Sequence, residues 1–401
     1  MSESQTNKLK IIYFIKYFAD SFFSAFFGMY FANLFGSESI EYGFLLGAIP
    51  LTALVANLFW GYISKKPSKN LKQMRLIVFL ECVSMCLIFF NKEFGFMLFF
   101  VIFFSLFSSP SFNLQDCLAM NYSKVEHSSF QKIMFFGQTG AFLASFAGAG
   151  LLALTSENFI IIFFIALCLN VLCFVLWLFV KQIPDHLIKI DDDEEQDKIT
   201  FKEVVKYKKY LIYFVVYLLV VGIHYVGNQY EYARVELDGI SATTLTTVRS
   251  IGGLLLLVVY YLTSKFSKPK NYYSFILVSL LIIILRNLIF AFNSSEFFLI
   301  VGVILGNVGW GIFIAMHLTF LGKLLPLHLL TKGVALMMPC YYILNGILTL
   351  TGPIIYLQTG LKLFYFILFL IQMIGCLILL LNKNTFETEM VRKDESIIDC
   401  D

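Results

Sequence analysis

Twelve predominantly apolar runs, each long enough to cross a bilayer, occupy almost all of this 401-residue chain. The short polar loops between them carry lysine and arginine almost only on alternate sides. A helix needs roughly 20 apolar residues to span the hydrocarbon, and the predicted spans are 11–35, 43–63, 74–91, 94–119, 133–155, 158–180, 209–230, 242–263, 273–293, 297–321, 331–356 and 361–382. Within lipid the backbone must satisfy its own hydrogen bonds, so runs of this length fold as helices. The chain therefore reads as an all-α polytopic membrane protein with twelve transmembrane helices.

Composition agrees. Hydrophobic residues make up 59% and charged residues only 14%, against about 45–50% and about 25% in soluble domains. The run after Lys10 is longer than a signal peptide's apolar core and lacks a small-residue cleavage site, so it is expected to remain as the first span. Cys82, Cys86, Cys117, Cys168, Cys173, Cys340, Cys376 and Cys400 show no CxxC pair and no zinc-like spacing, and read as small core residues. No metal or cofactor is expected.

With the amino terminus inside, all 30 lysines and arginines except Lys16, Lys92, Arg234, Arg249, Arg286 and Lys362 fall on the inner side. Lys92, Arg234 and Lys362 fall outside, and the other three within the membrane. The positive-inside rule thus places both termini in the cytoplasm and the protein in the cell membrane. Topology also accounts for the basic loops, so no nucleic-acid partner is expected.

The two halves echo each other. Tyr62–Lys69 after the second run reappears as Tyr261–Lys268 after the eighth, with Ser64-Lys65 answered by Ser264-Lys265. A six-helix bundle over 1–181, a cytoplasmic linker over 182–208, a second bundle over 209–382 and a cytoplasmic tail over 383–401 are implied. Parallel six-helix halves are an arrangement of transporters. Within the linker, 200–209 fits either a short interfacial helix or a solvated segment, and the charged tail is expected to be disordered. Gly140, Gly148 and Gly150 among alanines mark the fifth span for close helix packing. Pro339, Gly346, Gly352 and Pro353 are expected to bend or loosen the eleventh.

Gly61, Lys65, Lys66 and Lys69 after the second span, the six-plus-six layout and the long central linker resemble the major facilitator superfamily, whose gating loop this turn would be. Ser64 stands where that family places an aspartate. From the fourth to the fifth span, Asp116, Phe130 and the Phe136-Gly137-Gln138-Thr139-Gly140 stretch resemble the lactose-permease and phenylpropionate-permease branch of proton symporters. The resemblance implies a solute-binding role for Asp116. The branch's sugar-binding arginine and stacking aromatic fall on Met134 and Ala141, so galactoside specificity does not carry over. Arg249 stands where the branch has an acid, Arg286 and His317 keep an arginine and a histidine, and Phe320 replaces the acid that follows the histidine.

An ionisable side chain deep in the bilayer costs about 2.5–3.5 kcal/mol on the lenient insertion scale, so it faces a partner or a wet cavity. The first half holds Lys16, Asp20, Glu81 and Asp116, and the second Arg249 and Arg286, a net negative set against a positive one. One expectation is a shared cavity in which acids and arginines exchange partners with a solute. The alternative is pairing within each half, with Lys16 neutralising Asp20 one turn away and Glu81 pairing with Arg75. Asp116, Gln138, Arg249, Arg286, Asn113 and Asn345 are the candidate solute-binding residues. Gln115, Asn228, Gln229, Tyr230, Asn287, Asn307 and Trp310 add polar capacity toward the interior. Asp20, Asp116, Glu81, His317 and His224 are the candidate proton-coupling residues.

No G-x-x-x-x-G-K-[ST] loop or hydrolase pattern is present, which argues against an ATP-driven pump or an enzyme. The expected function is secondary transport, a proton-coupled import of a small polar solute such as a carbohydrate, nucleoside or small organic acid by alternating access. The expected partners are that solute, protons or another cation, and the lipid bilayer, with the protein monomeric. Export of amphipathic compounds and a non-transporting sensor or assembly role remain open alternatives.

Overall fold

The computed structural model describes residues 4–63, 67–126, 128, 130–155, 159–182, 201–267 and 271–386. Among them, twelve helices are long and apolar enough to cross a membrane. The first six are α1 (Ser4–Phe35), α2 (Ile40–Ile63), α3 (Pro67–Phe90), α4 (Phe94–Val125), α5 (Phe130–Leu154) and α6 (Phe159–Leu178). After a short helix α7 (Phe201–Val205), the seventh span is built of α8 (Lys208–Tyr217), a π-helical turn (Leu218–Gly222), α9 (Ile223–Gln229) and α10 (Glu231–Leu237). It extends to Leu237, past the predicted end at residue 230. Then follow α11 (Ala242–Phe266), α12 (Tyr272–Phe292), α13 (Glu296–Leu324), α14 (Leu327–Thr359) and α15 (Leu361–Leu381). The chain divides into two compact units, Met1–Asp191 with Ala242–Ser250 and Asp192–Ser241 with Ile251–Asp401.

In the amino-terminal unit α1 packs on α5 and α6, α2 on α4, and α3 on α4 and α6. The α1–α5 seam is close because α5 turns small residues toward α1. A Cβ at Gly140 would overlap the Phe14 carbonyl oxygen, and one at Gly148 would lie 2.6 Å from the Phe26 ring. In the carboxy-terminal unit α12 packs on α13 and α15, and α14 on α15 and the seventh span.

Prolines inside spans leave carbonyls without their helical donor, and aromatic side chains supply substitutes. Pro110 in α4 frees the Leu106 carbonyl, which accepts from Trp60 Nε1 of α2 at 3.0 Å. Pro353 in α14 frees the Thr349 carbonyl, which accepts from the Tyr230 hydroxyl. Gly352 makes room for that phenol ring, since a Cβ there would overlap it.

At the edges one open alternative is resolved and two expectations change. Phe201–Val205 is helical and buries Val204 in the core of its unit rather than lying solvated. The first residues of the tail pack, with Phe386 buried between Tyr273 and Phe320; residues 387–401 lie outside the described residues. Cys82, Cys173 and Cys376 are buried, but Cys117 and Cys168 are exposed on spans, where an apolar thiol suits lipid as well as a core.

Candidate functional site

Lys16, in α1, is fully buried. Its Nζ lies 2.7 Å from Asp20 Oδ2, one turn along the same helix, and 2.7 and 2.6 Å from Glu81 Oε1 and Oε2 on α3. Glu81 is also 0% exposed. Asn170 of α6 closes the cluster, accepting from Lys16 Nζ and donating to Asp20 Oδ1, both at 3.4 Å. The Lys16 ammonium stands 5.4 Å from the Phe112 ring centre, a cation–π distance. Two carboxylates share one ammonium, so the ionised cluster carries one unit of excess negative charge.

Glu81 therefore pairs with Lys16 and not with Arg75. Six residues along a helix turn a side chain through roughly 240°, which puts Arg75 and Glu81 on different faces. Arg75 instead donates to the carbonyls of Trp177, Leu178 and Val180 at 3.1, 3.2 and 2.8 Å. There it adds donors to carbonyls at the carboxyl end of α6 and faces the negative end of its dipole.

In the same unit, half-buried Asp116 of α4 accepts from the Tyr13 hydroxyl of α1 at 2.8 Å. Tyr13 is stacked on Tyr17. Asn113 is exposed within its span and donates to Asn57 of α2, which donates to Ser109, each at 2.9 Å. Gln138 is exposed on α5. Amides exposed within a span favour a wet surface over hydrocarbon. Gln115, beside them in sequence, is fully buried.

The carboxy-terminal unit holds a second buried cluster. Arg286 of α12 is 1% exposed. Its guanidinium donates to Asn228 Oδ1, to the His224 carbonyl at 3.1 Å and to Asn287 Oδ1 at 3.3 Å, and pairs with Glu231 Oε1 at 3.5 Å. Asn287 donates to Gln372 of α15 at 2.8 Å, and Gln372 to the Val220 carbonyl of the π-helical turn at 3.0 Å. Gly227 and Gly306 leave the space that the guanidinium and its stem fill. The Arg286–Glu231 pair sets one cation against one carboxylate.

These contacts show the pairing within each half that stood as the alternative, for Lys16, Asp20 and Glu81 in one and Arg286 in the other. Lys16, Asp20 and Glu81 pair with one another, Asp116 is held by Tyr13, and Arg286 is paired inside its own unit. Glu231 was missed because the seventh span was ended one residue before it. The same boundary put Arg234 outside the membrane. It is 2% exposed, donates to the Phe290 carbonyl at 2.8 Å and to that of Asn293, lies 3.3 Å from Asp238, and covers the Phe290 ring at 4.4 Å. Asp238, just past the span, is pushed above the usual carboxylate range by burial, against the pull of Arg234.

Both candidate histidines are buried. His224 is stacked on Trp310 at 4.8 Å, with Nε2 3.3 Å from the Asn228 amide. His317 bonds the Tyr213 hydroxyl through Nδ1 at 2.9 Å and is flanked by the Tyr217 and Phe313 rings at 4.9 and 5.1 Å. Asn345 accepts from Thr349 at 3.0 Å within the carboxy-terminal unit. Arg249 lies half-buried in α11. Of the candidate gating loop, Gly61 ends in α2 and Lys69 begins in α3, while Lys65 and Lys66 lie outside the described residues.

Comparison with known proteins places this geometry. No curated protein matches the sequence significantly. Among solved structures, the nucleoside transporter NupG superposes with a TM-score of 0.77 at 12% identity, covering 94% of this chain and 98% of that one. A D-xylose-proton symporter superposes with a TM-score of 0.68 at 14% identity, covering 93% and 96%. A bacterial homologue of the human lysosomal transporter Spinster, in an inward-facing and occupied conformation, gives 0.68 at 12% identity, covering 96% and 97%. These likenesses establish the major facilitator fold, with twelve candidate membrane helices in a multi-pass chain whose neighbours are transporters and not enzymes. Residues 6–378 match the model of the MFS_1 like family, and the chain belongs to that family.

Proposed function

We propose that this protein is a proton-coupled secondary transporter that imports a small polar solute, such as a carbohydrate, nucleoside or small organic acid, by alternating access. The observation that carries the proposal is the Lys16, Asp20 and Glu81 cluster. Buried charge is tolerated when it is paired, and two carboxylates on one ammonium reach neutrality by taking up one proton. The proton belongs to the coupled group rather than to either acid. A site of this kind changes its charge by one unit as it loads and unloads, which is what coupling to a proton gradient requires. Asn113, Asp116 and Gln138 supply the polar groups for the solute in the amino-terminal unit, and Asn345 does so in the carboxy-terminal unit. The basic loops favour a cell-membrane protein with both termini in the cytoplasm, and we assign a monomer.

The test is uptake by the purified protein in liposomes with an imposed proton gradient, screened against labelled sugars, nucleosides and carboxylates. Gradient-driven accumulation is expected for the wild type. In Glu81→Gln, exchange of labelled for unlabelled solute is expected to persist while accumulation is lost. Accumulation that ignores the gradient, or survives in both Glu81→Gln and Asp20→Asn, would overturn proton coupling through this cluster. Extrusion of lipophilic cations instead of uptake would reverse the direction.

A further inference from the structure

At the ends of the first and fifth spans, Lys10 of α1 and Lys132, Phe135 and Phe136 of α5 enclose an open pocket of 270 Å³. Lys10 Nζ lies 6.0 Å from the Phe136 ring centre and 2.9 Å from Asn7 Oδ1. Lys132 is exposed, and so are the two phenylalanines, at 68% and 42%. This charge pattern runs against the helix. Lys132 occupies the first turn of α5, where the backbone presents the positive end of its dipole and where no acidic residue is present to offset it. Two ammonium groups thus line one concavity near a helix start and favour an anion. A soluble anion would engage the lysines alone and make no use of the two rings exposed on the span. A phospholipid uses both parts, its phosphate among the lysines and its glycerol and upper acyl chains against the rings. The location fits, since basic pockets between spanning helices at the headgroup level bind anionic lipids.

We propose that this pocket is a binding site for one anionic phospholipid, with Lys10 and Lys132 pairing with the headgroup phosphate and Phe135 and Phe136 flanking the chains. The site is independent of the transport reading and of the buried clusters.

The full chain, purified in detergent, is offered equal amounts of phosphatidylglycerol and phosphatidylcholine and weighed intact with its retained lipid. One phosphatidylglycerol is expected to be retained in several-fold preference over phosphatidylcholine. The preference should vanish in Lys10→Gln/Lys132→Gln and persist in Lys10→Arg/Lys132→Arg. Lys206→Gln/Lys208→Gln, which removes the same charge at two exposed lysines elsewhere, should retain it. Unfolding temperatures in phosphatidylcholine micelles, expected to be equal for wild type and both glutamine variants, separate loss of a site from loss of fold. Equal retention of the two lipids by the wild type would overturn the proposal, as would equal loss in the two glutamine variants. So would displacement of phosphatidylglycerol by inorganic phosphate at matched concentration, which would make the pocket a soluble-anion site.

Discussion

Each half of the chain buries one polar cluster where corresponding spans meet, and the two are wired in opposite senses. In the first half the cation, Lys16, comes from the first span and a carboxylate, Glu81, from the third; in the second half the carboxylate, Glu231, comes from the seventh and the cation, Arg286, from the ninth. An amide from the last span of each half completes the set, Asn170 in one and Gln372 in the other. The difference lies in the count. Asp20 gives the first cluster a second carboxylate and an unbalanced charge, whereas the second sets Arg286 against Glu231 and ties down backbone carbonyls of the segmented seventh span. One arrangement suits a group that gains and loses a proton, and the other suits a fixed strut.

The largest expected effect follows from removing each cation. Lys16→Met takes the shared cation from two buried carboxylates and Arg286→Met takes one ion-pair partner from Glu231, and breaking a buried pair typically costs about 3–5 kcal/mol. Lys16→Met is therefore expected to be the more damaging. Arg286→Met/Glu231→Gln, which removes both charges, should recover most of its loss. Lys16→Met/Glu81→Gln leaves Asp20 behind and should recover only part until Asp20→Asn is added. Denaturant unfolding in micelles measures all of these. Equal losses with equal recoveries would erase the contrast between the clusters.

Glycines extend the comparison to packing. In the first half Gly140 admits a neighbouring backbone, and in the second Gly227 admits Arg286. Gly140→Ala drives a methyl into the Phe14 carbonyl, which belongs to a helix and cannot step aside. Gly227→Ala meets the Arg286 guanidinium, which three acceptors and Glu231 pin in place. Overpacking of this kind typically costs about 1–3 kcal/mol, and Gly140→Ala is expected at the upper end. If Gly227→Ala equals or exceeds it, the strut is stiffer than the seam, and the ranking of the two halves is reversed.

The spans were legible because their signal is length and apolarity, which lipid makes decisive. The charged residues were legible as important and illegible as partners. Lys16 and Asp20 stand one turn apart, so their pairing could be weighed from sequence, but Glu81 lies 65 residues from Lys16 and Glu231 lies 55 from Arg286. Nothing local selects such partners. Arg75 shows the hazard: proximity in sequence suggested Glu81, yet its role is to cap α6. Glu231 and Arg234 carried a usable signal, since ending the seventh span at residue 237 puts both in the membrane and asks for counter-charges. Trp60 and Tyr230 were also findable, because each proline inside a span announces a carbonyl in need of a donor.

That last relation gives the smallest and sharpest expectation. Tyr230→Phe removes one hydroxyl and keeps the ring that packs against Phe364 and fills the space beside Gly352. The Thr349 carbonyl, denied its helical donor by Pro353, is then left unpaired, for a loss of about 1 kcal/mol. In a Pro353→Ala background the backbone N–H returns to that carbonyl, and Tyr230→Phe should cost close to nothing. The same cycle with Trp60→Phe and Pro110→Ala tests the first half, where loss of indole area adds a part that proline replacement does not recover. A Tyr230→Phe penalty of the same size in both backgrounds would mean that the hydroxyl serves something other than the proline's orphan, and the correspondence between the two halves would then stop at their charged clusters.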